Sequence, residues 1–160
     1  MPSGDTGTYW TLRMMGAIAR RASHDSSVRR AAGRIVGGLP ADPRGRIEAI
    51  RRYLSDHVKY VLDPDGIEYV QQPARLVAEI DVHKETHGDC DDVATLGAAL
   101  GKAIGMRARF VIAGFKGPTA PFTHVYVELS PPDREEWAAL DTTRPAHSRA
   151  VATRMDTREV

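Results

Sequence analysis

Gly88-Asp89-Cys90-Asp91-Asp92-Val93-Ala94-Thr95-Leu96 holds the only cysteine of the 160-residue chain and reads as the opening of a helix. Asp89 suits the N-cap, and Asp92, three residues on, completes a variant of the capping-box spacing. Cys90 then takes the first helical position. The helix is expected to reach about Ile104 and to stop at Gly105, a suitable residue for the left-handed turn that closes helices. Its inner face would be Val93, Ala94, Gly97, Leu100, Gly101 and Ile104. Ala94, Gly97 and Gly101 are small, which lets a helix approach a sheet closely.

Working outward toward the C-terminus, residues 107–115, 124–130 and 135–142 read as three strands. The stretches between them, 116–123 and 131–134, carry the Gly and Pro expected of loops. Toward the N-terminus the chain reads helical. Trp10, Met14 and Ile18, flanked by Leu12 and Met15, recur at helical spacing and are expected in the core. Val28, Ala31, Ala32, Ile35 and Val36 form a cleaner stripe, with Ser26 or Ser27 available as N-cap. Asp42-Pro43 is an N-cap followed by proline at the first helical position, after which Ile47, Ile50 and Leu54 trace one face. Pro64-Asp65-Gly66 signals a turn after the extended Val58-Lys59-Tyr60-Val61. Residues 68–88 show little periodicity and are read as a short helix within extended connections. Helices first, then a Cys-bearing helix against an antiparallel sheet, make an α+β domain. The organisation expected is a single domain, 1–145, with a helical leader (1–44) and a core (45–145), followed by a polar tail, 146–160, whose composition is compatible with disorder.

A chain of this length buries roughly two-thirds of its unfolded surface without staples. One cysteine excludes an internal disulfide and favours a reducing compartment, so a cytoplasmic location is expected. Arg13, Arg20 and Arg21 interrupt the only early apolar stretch, and no run has the length of a membrane span. The net charge of +1 makes no general case for nucleic acid, and no membrane association is expected. The charge is uneven: residues 1–52 hold ten Lys/Arg against four Asp/Glu, a net +6, and the remainder carries −5. A basic helical face of this kind is usually solvated, with a docking partner as the rarer use.

The chemistry centres on the thiol. A nucleophilic cysteine needs thiolate near neutral pH, and an ordinary thiol at a pKa of about 8.5 is mostly protonated there. A helix N-terminus favours the anion, but Asp91 and Asp92 lie close and oppose it, so an imidazolium is expected to compensate. His124 is the leading partner. In residues 123–129, His124, Tyr126 and Glu128 alternate with Val125, Val127 and Leu129, which puts His124 on the face opposite the aliphatics. A hairpin with a four-residue loop, 131–134, would set His124 opposite Asp141 on one face, and any even loop length keeps them on that face. A carboxylate beside an imidazole fixes its tautomer and stabilises its charged form. The Cys90 N–H is the first oxyanion donor, and Gln71 or Gln72 is available as a second. His83-x3-His87-x2-Cys90 matches no closed four-ligand framework, so no metal or cofactor is expected, and both histidines read as exposed loop residues. His57 reads as packing. His24 and His147 fall in polar stretches.

Taken together, Gly88-Asp89-Cys90-Asp91-Asp92-Val93-Ala94-Thr95-Leu96 through Leu100, with Ile104-Gly105-Met106-Arg107-Ala108-Arg109-Phe110-Val111, resemble the transglutaminase-like superfamily of cysteine enzymes. Thr123-His124-Val125-Tyr126-Val127-Glu128 resembles its His strand, and Trp137-Ala138-Ala139-Leu140-Asp141-Thr142-Thr143 its Asp strand. The likeness covers about residues 45–145, including the Tyr60 strand and Gln72-Pro73. It implies a papain-like fold with Cys90 as nucleophile, His124 as general base and acid, and Asp141 as the orienting carboxylate. The implied activity is acyl transfer from a peptide or protein amide through a Cys thioester, to water or to an amine. Val125 stands where the family commonly has an aromatic residue, with Tyr126 next. Compact chains with such a helical leader are also similar to phage-encoded proteins. The alternative is therefore a noncatalytic binding or structural module of the same fold, such as a phage assembly component.

Overall fold

A computed structural model of the chain describes residues 4–62, 69–143 and 152–160. The turn read at Pro64-Asp65-Gly66, and residues 144–151 with His147, lie outside the described residues. Among the described residues five helices, α1 (Gly4–Ala22), α2 (Ser26–Val36), α3 (Pro43–His57), α4 (Pro73–His83) and α5 (Cys90–Ala103), accompany six strands. The strands are β1 (Val58–Tyr60), β2 (Thr86–Gly88), β3 (Arg107–Gly114), β4 (His124–Ser130), β5 (Ala138–Leu140) and β6 (Arg154–Glu159). β1 and β2 pair in parallel, and the larger sheet is antiparallel in the order β5-β4-β3-β6. The α+β expectation holds. Among the described residues no helix is long and apolar enough to cross a membrane.

α5 is the axis of the core. α1, α2, α3 and α4 surround it on one side and β3 and β4 cover the other, so Leu96, Ala98, Ala99 and Leu100 are all fully buried. Gly105 adopts φ 84°, and the N–H groups of Gly105 and Met106 close the last turn onto Lys102 and Gly101. The small face works as expected. A Cβ on Gly97 would stand 2.8 Å from a Val127 methyl, and one on Gly101 would run into both methyls of Leu129. Gly101→Val is therefore expected to destabilise the fold by about 1–3 kcal/mol through overpacking. Thermal unfolding checks it, and an unchanged midpoint would mean that α5 can withdraw from the sheet freely.

Three local expectations are corrected. On α1 the buried face is Leu12, Met15, Gly16, Ala19 and Ala22. Trp10 and Met14 are exposed instead and, with Ile18, flank a groove completed by Tyr69, Val70 and Gln72. Two stripes run along this helix, and the smaller side chains win because they let it lie close against α5. On α2 the N-cap is Asp25, whose carboxylate accepts from the Ser27 and Val28 N–H groups, so Ser26 and Ser27 both fall inside the helix. On the C-terminal side, residues 154–159 do not form a loose tail. They add a strand to the open edge of β3, with Met155 opposite Ala113 and Glu159 opposite Arg109. An edge strand exposed along nearly its whole length has no apolar period to display, and its charges are what protect a free edge.

Candidate active site

The start of α5 is built as its sequence suggests. The Asp89 carboxylate accepts the Asp91 and Asp92 N–H groups at 3.0 and 3.2 Å, and Asp92 reaches back to the Asp89 N–H at 3.1 Å, so the capping box is closed. Cys90 sits half-buried at the first helical position. Asp92 is fully buried, and its carboxylate also accepts the Gln71 N–H at 2.7 Å and the Gln71 Nε2 at 2.9 Å. The same Nε2 donates to the His87 carbonyl at 2.9 Å. Gln71 is thus engaged in holding the turn, and Gln72 stands at the N-cap position of α4 beside the outer groove of α1. Neither lines the cavity at the thiol. Gly88 is required here, since a Cβ would come within 2.8 Å of the Asp92 Cβ.

β4 opens with His124, whose Nε2 lies 2.9 and 3.0 Å from the two Asp141 carboxylate oxygens. The side chains are 13% and 19% exposed, which shields the pair from most solvent screening. The register that brings them together differs by two residues from the four-residue-loop hairpin. Val127 faces Leu140 and Leu129 faces Ala138, where the shorter loop would have set Leu129 against Glu136. Ser130 explains the longer connection: its buried hydroxyl donates to the Arg134 carbonyl and accepts the Glu136 N–H. A slide of two residues keeps every side chain on its own face, so His124 and Asp141 still share one. The third strand is correspondingly shorter than residues 135–142. Tyr126 and Phe115 flank the imidazole at ring-centroid distances of 5.9 and 6.5 Å, so the His strand keeps aromatic neighbours despite Val125.

Cys90 and His124 line one cavity of about 180 Å³, together with Asp91, Thr8, Thr11 and Phe122. Burial pushes the Cys90 thiol up to about 12, with the Asp91 and Asp89 charges adding to it. The N–H groups of Val125 and of Cys90 itself pull the other way. Burial and these charges therefore favour the protonated thiol over the thiolate. Tyr60, at the end of β1, belongs to the same neighbourhood: burial raises its phenol, and the Cys90, Asp89 and Asp91 charges add to that. Thr8, Thr11 and Phe122 carried no sequence signal for this site, because each comes from an element whose packing is settled only in three dimensions.

Among the described residues no other histidine lines this cavity. His57 bonds the Lys84 carbonyl through Nδ1 at 2.7 Å and stands against Tyr53. His83 ends α4, and His87 is an exposed residue of β2, inside a strand and not a loop. Among the described residues no group of three or more His, Cys, Asp or Glu is placed to hold a metal ion.

A family model described as the transglutaminase-like superfamily matches residues 29–142, and the chain belongs to that superfamily. No curated protein matches. Among solved structures, a Parabacteroides distasonis protein described as a candidate protease superposes with a TM-score of 0.54 at 10% identity, over 79% of this chain and 26% of that one. LapG of Legionella pneumophila, in its EGTA-treated form, gives 0.52 at 20% identity, over 81% of this chain and 71% of LapG. This chain thus spans about a quarter of the Parabacteroides protein, and at these identities both likenesses are of fold.

Proposed function

We propose that this chain is a cysteine enzyme acting on peptide or protein amide bonds by acyl transfer, with Cys90 as nucleophile, His124 as general base and acid, and Asp141 as the orienting carboxylate. The observation that carries the reading is the bidentate approach of Asp141 to His124 Nε2 in a side-chain pair that shares a cavity with Cys90. With Nε2 engaged by Asp141, Nδ1 is the nitrogen left to serve the thiol. Because the protonated thiol is favoured, deprotonation accompanies attack: His124 takes the proton as Sγ bonds the amide carbon. The oxyanion formed meets the Cys90 N–H at the helix start. Collapse breaks the C–N bond, His124 gives the proton to the leaving amine, and a thioester remains. Water or an amine, deprotonated by His124, then attacks the thioester and frees the thiol. The sequence of steps needs neither metal nor cofactor.

The test is trapping. Incubation with glutamine-containing and peptide acyl donors is expected to leave an acyl adduct on Cys90, read by mass spectrometry, and none on Cys90→Ala. Asp141→Asn is expected to lower turnover by about 10²- to 10⁴-fold with the fold and substrate affinity retained, since an amide no longer favours the required tautomer. Full turnover in Cys90→Ala would overturn the assignment.

One observation favours a second reading. A thiol pushed up to about 12 suits a structural cysteine as well as a nucleophile, and the chain would then be a noncatalytic module, such as a phage assembly component docking through its basic N-terminal helices. Labelling by iodoacetamide separates the two: reaction of Cys90 in the folded protein supports the enzyme, and reaction only after denaturation supports the module.

A further inference from the structure

α1 and β6 both lie outside the residues that match the family, 29–142, yet they meet each other beside the Cys90 cavity. The contact is a clasp. Arg154 of β6 forms a bidentate pair with Asp5 of α1 at 3.2 and 2.6 Å. The same guanidinium donates to the Ala120 carbonyl at 3.0 Å and lies 4.0 Å over the Phe122 ring. Tyr9 donates to Asp156 and meets Phe122 edge to face at 6.4 Å. The clasp therefore joins three things: the first turns of α1, the edge strand, and the loop that delivers His124. Leu12 and Met15 are buried in the core from the same helix, so α1 is a fixed element and not a lid.

We propose that α1 is the specificity wall of the Cys90 cavity, with Thr8 and Thr11 restricting the acyl donor to a side chain of modest size without negative charge, and with the Asp5–Arg154 and Tyr9–Asp156 clasp setting how far that wall stands from Cys90. This rests on the reading of Cys90 as nucleophile. Both threonine hydroxyls donate to their own helix, to the Gly4 and Gly7 carbonyls at 3.4 and 3.1 Å, so their protons are engaged within α1. Leu12, Met15, Phe122 and Val125 add apolar surface. Asp91 is the carboxylate of the lining and repels an anionic donor. An anionic side chain held against such a wall also loses hydration without replacement. The space is about 180 Å³ and open to solvent on one side, with Thr8 and Thr11 in the same lining as Cys90, so a bulky side chain held at the thiol has to pack against α1.

The experiment measures alkylation of Cys90 in the full chain by acetyl-alanyl, acetyl-phenylalanyl and acetyl-glutamyl chloromethyl ketones, each rate taken relative to that of iodoacetamide. In these reactions sulfur bonds the methylene carbon and chloride leaves. The alanyl probe is expected to outpace the phenylalanyl and glutamyl probes by about tenfold or more, the scale on which pocket fit discriminates. Thr8→Ala combined with Thr11→Ala, both at partly exposed helical positions, is expected to raise the phenylalanyl-to-alanyl ratio several-fold, and Arg154→Met to move it in the same direction. Equal wild-type rates for the alanyl and phenylalanyl probes, or a ratio untouched by the paired threonine substitutions, would overturn the wall while leaving the nucleophile standing. A Cys90 that iodoacetamide labels only after denaturation would overturn the nucleophile, and the wall with it.

Discussion

Cys90→Ala is expected to abolish acyl transfer outright, and His124→Ala to lower it by roughly 10²- to 10⁴-fold, the usual scale of general acid–base catalysis. The reason lies in the resting thiol. Burial and the Asp91 and Asp89 charges push it up to about 12, so at neutral pH the protonated thiol is strongly favoured. A helix N-terminus worth at most about 1 kcal/mol at an exposed site cannot close that gap. Without His124 the protein must wait for hydroxide, and iodoacetamide labelling of His124→Ala should climb about tenfold per pH unit from neutrality to pH 10. With His124 present the rate at pH 7 should be far higher and the profile flatter. Identical profiles for the two proteins would show that the imidazole does not serve the thiol.

The parts of the fold that were legible in the sequence are those decided locally. The Asp89 cap, the Asp92 return bond and the Gly105 stop are interactions among near neighbours, and all are in place. The strand pattern at His124 reads directly because β4 is buried on one face only. The errors fall where distant packing chooses between local options. α1 carries two hydrophobic stripes, and only α5 decides that Met15 and Ala19 face inward while Trp10 and Met14 stay outside. The hairpin register depended on how the Ser130 hydroxyl ties down the connection, which no turn signal announces. β6 was missed because β3, its partner among the described residues, lies some forty residues away and its side chains, Met155 apart, are polar on both faces. The site follows the same division. His124 and Asp141 were legible because parity along a strand fixes a face and a two-residue slide preserves it. Gln71 was not: its polar side chain looks like any loop residue until Asp92 is seen buried beneath it.

Asp92→Ala is expected to be the most damaging single substitution for stability, with a loss of about 3 kcal/mol or more and a melting point lower by about 6–12 °C. One buried carboxylate satisfies three donors at once: the Asp89 N–H, the Gln71 N–H and the Gln71 Nε2. Removing it strands the Asp89 N–H at the start of α5 and the Gln71 N–H ahead of α4, and frees the segment leading into α4 from the Cys90 turn. Asp92→Asn should fall between wild type and Asp92→Ala. Its amide keeps one acceptor oxygen but turns an NH₂ toward groups that are themselves donors. The network also predicts coupling. Gln71→Ala removes one of the three bonds and leaves its backbone N–H bond intact, so the loss from the double variant should fall short of the summed single losses by about 1 kcal/mol. Because Cys90 lies in the turn that Asp92 closes, iodoacetamide labelling in Asp92→Ala should also lose the strong preference for Cys90 over a free thiol at neutral pH that the aligned site is expected to confer. Strict additivity of the Gln71 and Asp92 substitutions, together with a melting point within a degree or two of wild type, would mean that α5 begins correctly without this buried carboxylate.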